Sequence, residues 1–177
     1  AMFRTLLNSV VLYPSDAIST EKLMIEAVKH FGNVYLRTTR KDSPILYSPN
    51  EEFPIGGSKT LKSSSNDQIT VIGGGVTLFE ALNAYEQLQK EGINIRVIDL
   101  YSVKPVDSKT LHLAATETKA LIVVEDHFLE GGMGDAVRAD LADSGKSVYS
   151  LAVQKMPRSG KPDELIDFEN ISARAIV

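Results

Sequence analysis

The stretch Gln68-Ile69-Thr70-Val71-Ile72-Gly73-Gly74-Gly75-Val76-Thr77-Leu78 decides the fold: an apolar strand passes through three glycines into a helix. Ile69 to Ile72 is a near-continuous apolar run, as is Leu121-Ile122-Val123-Val124, the pattern of strands covered by helices on both faces of a parallel sheet. Downstream the alternation repeats. It predicts helix 77–91, strand 95–100, helix 108–117, strand 120–125, helix 134–142, strand 148–153 and a final helix from Asp163. Residues 67–177 therefore read as an α/β domain, an open, mainly parallel sheet covered by helices.

Upstream of the glycines the pattern differs. Apolar runs at 9–13 and 33–37 flank a helical segment, 17–31, which makes one βαβ unit. Pro14-Ser15-Asp16 forms the turn before the helix, with Ser15 or Asp16 as N-cap and Gly32 as its left-handed stop. A lone βαβ unit cannot bury both faces of its sheet. Residues 1–49 are thus expected to be the end of a domain whose earlier part lies elsewhere, an incomplete α/β segment. Between the two parts, Pro54, Gly56-Gly57 and Ser63-Ser64-Ser65-Asn66 mark residues 50–66 as a linker.

Composition narrows the function. With 43% hydrophobic residues the chain can fill a globular core. Lys and Arg number 19 against 23 acidic residues, a net charge of -4, so neither nucleic acid nor an anionic membrane surface is an expected partner. There is no cysteine, which excludes thiol chemistry and disulfides. No apolar run approaches the roughly 20 residues of a membrane span, and a cytoplasmic location is the expectation.

Four groups of residues carry chemical interest. Gly73-Gly74-Gly75 at a helix start can hold an anion on backbone amides, but it lacks the spacing of a dinucleotide or P-loop motif and equally serves a tight turn. Asp99, near the end of the next strand, stands where a ribose-binding acid would. Glu125-Asp126-His127 ends a strand before Gly131-Gly132-x-Gly134; acid-base chemistry, metal binding and plain structural hydrogen bonding are all open to it. Adjacent strand residues point to opposite faces, so the three need not act together. Arg37-Thr38-Thr39-Arg40-Lys41 sets three cations and two hydroxyls at a strand end, as a phosphate clamp or as a solvated loop. A second basic turn, Arg158-Ser159-Gly160-Lys161-Pro162, and His30 and His112, both on predicted helices, read as exposed structural features.

Several segments together resemble transketolase. They are Ala-Met-Phe-Arg-Thr-Leu-x-Asn-Ser-Val-Val-Leu-Tyr-Pro-Ser-Asp from Ala1, Tyr-Leu-Arg-Thr-Thr-Arg from Tyr35, and Val-Ile-Gly-Gly-Gly-Val-Thr-Leu-x-Glu-Ala-Leu from Val71. Ile-Asn-Ile-Arg-Val-Ile-Asp-Leu from Ile93, Val-Glu-Asp-His-x-x-Glu-Gly-Gly-Met-Gly from Val124 and Pro-Arg-Ser-Gly-Lys-Pro from Pro157 complete the set, in family order over nearly the whole chain. After Asp163-Glu164-Leu165-Ile166 the tail departs from the family's longer Phe-Gly segment.

The resemblance implies the end of a pyrimidine-binding domain in residues 1–49 and the carboxy-terminal domain in 67–177. It implies an enzyme that moves a two-carbon ketol unit between phosphorylated sugars with thiamine diphosphate and magnesium, as a homodimer. The family's cofactor, metal and catalytic residues precede Ala1, so neither cofactor is expected to bind this chain alone. Activity is expected to need the missing amino-terminal portion or a split subunit. One family site residue maps here: the last arginine of Arg-Thr-Thr-Arg, Arg40, which would bind the substrate phosphate, whereas Arg37 matches the segment without that role. The alternatives are a deoxyxylulose-phosphate synthase, a 2-oxoacid dehydrogenase β subunit, and a non-catalytic regulatory or interaction module.

Overall fold

The computed structural model describes residues 1–40 and 42–177; Lys41, the third cation of the cluster at 37–41, lies outside the described residues. A short helix, α1 (Met2–Thr5), precedes strand β1 (Ser9–Leu12), helix α2 (Ala17–Lys29) and strand β2 (Asn33–Leu36). β1 and β2 pair in parallel, so the expected βαβ unit is present. Asp16 is the N-cap of α2: its side chain accepts the Ser19 amide at 2.7 Å while Ser19 Oγ receives the Asp16 amide, a reciprocal box that starts the helix.

Strands β3 (Lys59–Lys62) and β4 (Ile69–Gly73), helix α3 (Val76–Lys90), and strands β5 (Ile95–Asp99) and β6 (Ser102–Lys104) follow. Helix α4 (Ser108–Glu117), strand β7 (Ala120–Phe128), helix α5 (Met133–Asp140) and strand β8 (Ser147–Val153) lead to two closing helices, α6 (Pro162–Phe168) and α7 (Ala173–Ile176). Five strands form one sheet in the order β3-β5-β4-β7-β8. β4 pairs in parallel with both β5 and β7, β7 pairs in parallel with β8, and β3 is antiparallel to β5. This is the open, mainly parallel sheet read from the apolar runs.

Each face of that sheet has its own core. Ile72, Ile98, Leu100, Leu111, Leu121, Val123 and Val137 fill one, under α4 and α5. Val71, Leu78, Ala81, Ala84, Val97, Val124 and Ile171 fill the other, under α3 and α7. In α3 the buried side chains Thr77, Leu78, Ala81, Ala84 and Leu88 make the stripe of a helix lying on a sheet.

Two short strands change how the parts join. β3 lies within the stretch read as linker; it adds to the β5 edge because Lys-Thr-Leu-Lys is held there by pairing rather than by its own propensity. β6 pairs antiparallel with β1, so the small sheet runs β2-β1-β6 and one edge of the βαβ unit is closed by the larger part. A third core cluster, with Val10, Leu12, Leu23, Tyr47, Phe53 and Tyr101, seals the junction. Phe53, 2% exposed, stands edge-on to both Tyr47 and Tyr101.

Candidate functional site at the seam between the two sheets

The seam brings together the carboxyl ends of β2, β4, β5 and β7. Tyr13, Ser15 and Asp16 come from the turn after β1, and the Tyr13 amide donates to the Tyr101 carbonyl at 2.7 Å. Glycine is required at 75 because Tyr13 sits there: a Cβ would lie 2.0 Å from Tyr13 Cζ, and φ is +55°. The amides at this helix start are satisfied within the chain. Gly75 donates to Ser15 Oγ at 2.9 Å and Gly74 to Thr77 Oγ1 at 3.2 Å. The glycine run therefore serves a close approach of two segments and offers no open anion cradle.

Asp99 is fully buried and faces Ser15 and Tyr47 rather than a nucleotide crevice. Ser15 Oγ donates to Oδ1 at 3.0 Å and the Tyr47 hydroxyl to Oδ2 at 2.6 Å. Burial raises its pKa to about 7 against the pull of those two bonds, and neighbouring Asp16 adds to the rise. Burial and the Asp99 charge likewise push the Tyr47 phenol upward.

Glu125, Asp126 and His127 take three different positions. Glu125, 2% exposed, accepts the amides of Met133 at 2.5 Å and Gly134 at 3.1 Å, capping α5 from below. Burial lifts its pKa to about 7 despite those bonds. Gly132 is needed beside it, since a Cβ there would stand 2.0 Å from Glu125 Oε2. His127 lies 3.2 Å from the Ala1 amino group through Nε2 and 2.7 Å from the Phe128 carbonyl through Nδ1. Asp126 turns to the first segment. Its carboxylate takes a two-pronged bond from Arg37, Nη1 to Oδ1 at 3.0 Å and Nη2 to Oδ2 at 2.8 Å, and the Tyr13 hydroxyl at 3.0 Å. The Arg37 guanidinium also lies over the Tyr13 ring at 4.6 Å.

Arg40, three residues on, is exposed and opens into a cleft of about 940 Å³ between the first segment, α3 and α6. Among the described residues its guanidinium has no carboxylate partner. Phe79, Ile166 and Ile171 lie along the cleft, and its polar lining includes Ser43, Asn83 and the acids Asp42, Glu80, Asp163 and Glu169. A second cavity, about 270 Å³, lies beside the stacked rings of Phe3 and Tyr35, and the Arg37–Asp126 pair lines both. The remaining candidates are elsewhere. His30, at the end of α2, and His112 are half-buried instead of exposed, with His112 Nε2 3.2 Å from the Asp140 carbonyl; Arg158 lies over the Phe168 ring at 3.6 Å.

Among the described residues no group of three or more His, Asp or Glu is arranged to hold a metal. The amides at the starts of α3 and α5 are already bonded to Ser15, Thr77 and Glu125. The described residues thus do not form a magnesium–diphosphate cradle.

An α/β unit of this topology, with an arginine open to a cleft at a strand exit beside its sheet edge, is the class that the fold and the seam define. Comparison with known proteins specifies it: the family model described as "Transketolase, C-terminal domain" matches residues 58–176, and the chain belongs to the transketolase family. It is 48% identical over its whole length to transketolase-like protein 1 of Bos taurus, of which it covers 30%. Its identity to the transketolase of Homo sapiens is 47% over 99% of the chain, covering 29% of that protein. A solved structure described as a split gene transketolase, inactive beta4 tetramer, superposes with a TM-score of 0.92 at 32% identity, over 99% of this chain and 57% of that one. The chain therefore spans under a third of the length of these curated relatives.

Proposed function

We propose that this chain is the carboxy-terminal portion of an enzyme transferring a two-carbon ketol unit between phosphorylated sugars, with Arg40 holding the substrate phosphate. Arg40 carries this reading. It is exposed, lines a large cleft and lacks a carboxylate partner among the described residues, whereas Arg37 is consumed by Asp126. A planar guanidinium suits a phosphate because it bonds two oxygens at once and keeps its charge at any working pH.

In this reading residues 1–49 end a pyrimidine-binding domain, 50–66 connect, and 67–177 form the carboxy-terminal domain. Thiamine diphosphate, acting as the electron sink, and magnesium would be held by the amino-terminal portion, supplied by the same polypeptide or by a separate subunit. Similarity to the structure described as a split gene transketolase supports the latter arrangement as well as the former. The isolated chain is expected to be inactive, and the complete enzyme to be a cytoplasmic homodimer. Among the described residues no helix is long and apolar enough to cross a membrane.

The test is Arg40→Ala in the complete enzyme, assayed with a phosphorylated and an unphosphorylated acceptor sugar. A lost charge-assisted bond is worth about 1.5–3 kcal/mol, so kcat/KM for the phosphorylated sugar should fall roughly 10- to 150-fold relative to the other. An unchanged ratio would remove Arg40 from the phosphate site.

A further inference from the structure

Residues 38–40 form a short strap that carries Arg40 away from β2, and described residues on both sides of it are tied down. At the far end the amides of Leu46 and Tyr47 donate to Asp16 Oδ2 at 2.9 and 3.1 Å, and the Tyr47 hydroxyl bonds Asp99. At the near end the tie is Arg37 to Asp126, with a third bond from Nη2 to the Asp126 carbonyl at 3.2 Å. Asp126 belongs to β7, in the part matched by the carboxy-terminal domain model, while Arg37 directly follows β2 of the other sheet.

Arg37 and Arg40 are three residues apart, so their Cα atoms are separated by at most about 10 Å. The position and direction of Arg37 therefore set the point from which residues 38–40 leave β2. The fork-to-fork geometry makes this tie directional, for two parallel bonds fix the plane of the guanidinium as well as its distance. Tyr13 holds the same plane from one side with its ring and bonds the same carboxylate with its hydroxyl. The side chains are 33% and 21% exposed, so the fork is partly shielded from water, and it fixes geometry as well as charge. Charge matters as well. With its carboxylate, Asp126 neutralises Arg37, so that of the two described guanidiniums at this strand exit Arg40 is the one left for an anion.

We infer that Asp126 is a positioning residue for the phosphorylated substrate: by clasping Arg37 it sets the direction in which the strap leaves β2, and so aims Arg40. The carboxy-terminal domain would then take part in sugar recognition through a residue that never touches the sugar. This inference rests on the reading of Arg40 as the phosphate receptor.

The experiment uses the complete enzyme with thiamine diphosphate and magnesium, and compares Asp126→Asn, Arg40→Ala and the double variant. The readout is the ratio of kcat/KM for a phosphorylated over an unphosphorylated acceptor. Misplacement of a binding group by about 1 Å can cost up to 100-fold, so Asp126→Asn should lower the ratio at least tenfold, with the double variant no worse than Arg40→Ala alone. Asp126→Glu, which keeps the charge, should recover part of the loss. If Asp126→Asn impairs folding, Arg37→Lys provides the same test, because it keeps a cation but loses the fork, and it should show the same selective drop. Should Arg40→Ala lower the ratio while neither Asp126→Asn nor Arg37→Lys does, or should the losses add in the double variant, the positioning role is overturned and the Arg40 reading stands. Should Arg40→Ala itself leave the ratio unchanged, both fall.

Discussion

Asp99 shows how a single side chain at the seam couples burial to pH. It is fully enclosed, bonded by the hydroxyls of Ser15 and Tyr47, and its pKa is raised to about 7 from the ordinary value of 3.8. The folded chain therefore binds a proton more tightly than the unfolded chain between those values. Stability from this group is full below the unfolded pKa and is lost as pH rises through about 7. Glu125, raised to about 7 by burial, acts in the same direction. Thermal melts at pH 5 and pH 8 should show lower stability at the higher pH, and Asp99→Asn should shrink that difference, since a neutral amide can pair with both hydroxyls. An unaltered difference in Asp99→Asn would show that other groups carry the dependence. The residue types are visible in the sequence, but not their partners: Asp126 stands out within a Glu-Asp-His run, yet nothing local says that it faces Arg37, 89 positions away.

Helix and strand boundaries follow local chemistry closely where that chemistry is strong. α4 occupies the residues expected, 108–117, with the Asp107 side chain accepting the Thr110 amide at its start. β7 extends three residues past its expected end, to Phe128, where it pairs with Val153 of β8. β3 and β6, of four and three residues, leave no readable signal because their existence depends on distant pairing partners rather than on propensity. The turn from β4 into α3 gives the prediction at this scale. Gly75→Ala would place a methyl inside the Tyr13 ring contact and force a side-chain-bearing residue to φ +55°. Backbone strain alone costs about 1–3 kcal/mol, and the displaced ring adds to it, so the urea midpoint should fall clearly. Gly92→Ala is a useful contrast, since it has the strain of φ +78° but nothing within 4 Å of its Cβ, and it should cost less.

Across the whole molecule, apolar exposure is concentrated on the first segment. On α2, Val28 is 83% exposed and Met24 and Ile25 about half; Phe31, just past its end, and Leu7 are each 94% exposed. Apolar exposure of this kind marks an interaction surface, and under the proposed function the amino-terminal portion is what would cover it. The paired change Val28→Glu and Phe31→Glu removes no buried contact and should shift the melting temperature little, yet weaken association with that portion in sedimentation experiments. Unaltered association would place the contact elsewhere. The sequence by itself determined the alternation of strands and helices, the parallel character of the larger sheet and the family, because apolar periodicity, capping residues and ordered motifs are local signals. Tertiary structure decided that the two parts share a sheet edge through β6, that Arg37 is spent on Asp126, and that Arg40, exposed in the same cleft, has no carboxylate partner among the described residues. Those outcomes depend on which residues meet across the seam, and contacts between positions 37 and 126 or 11 and 104 leave no trace in local composition.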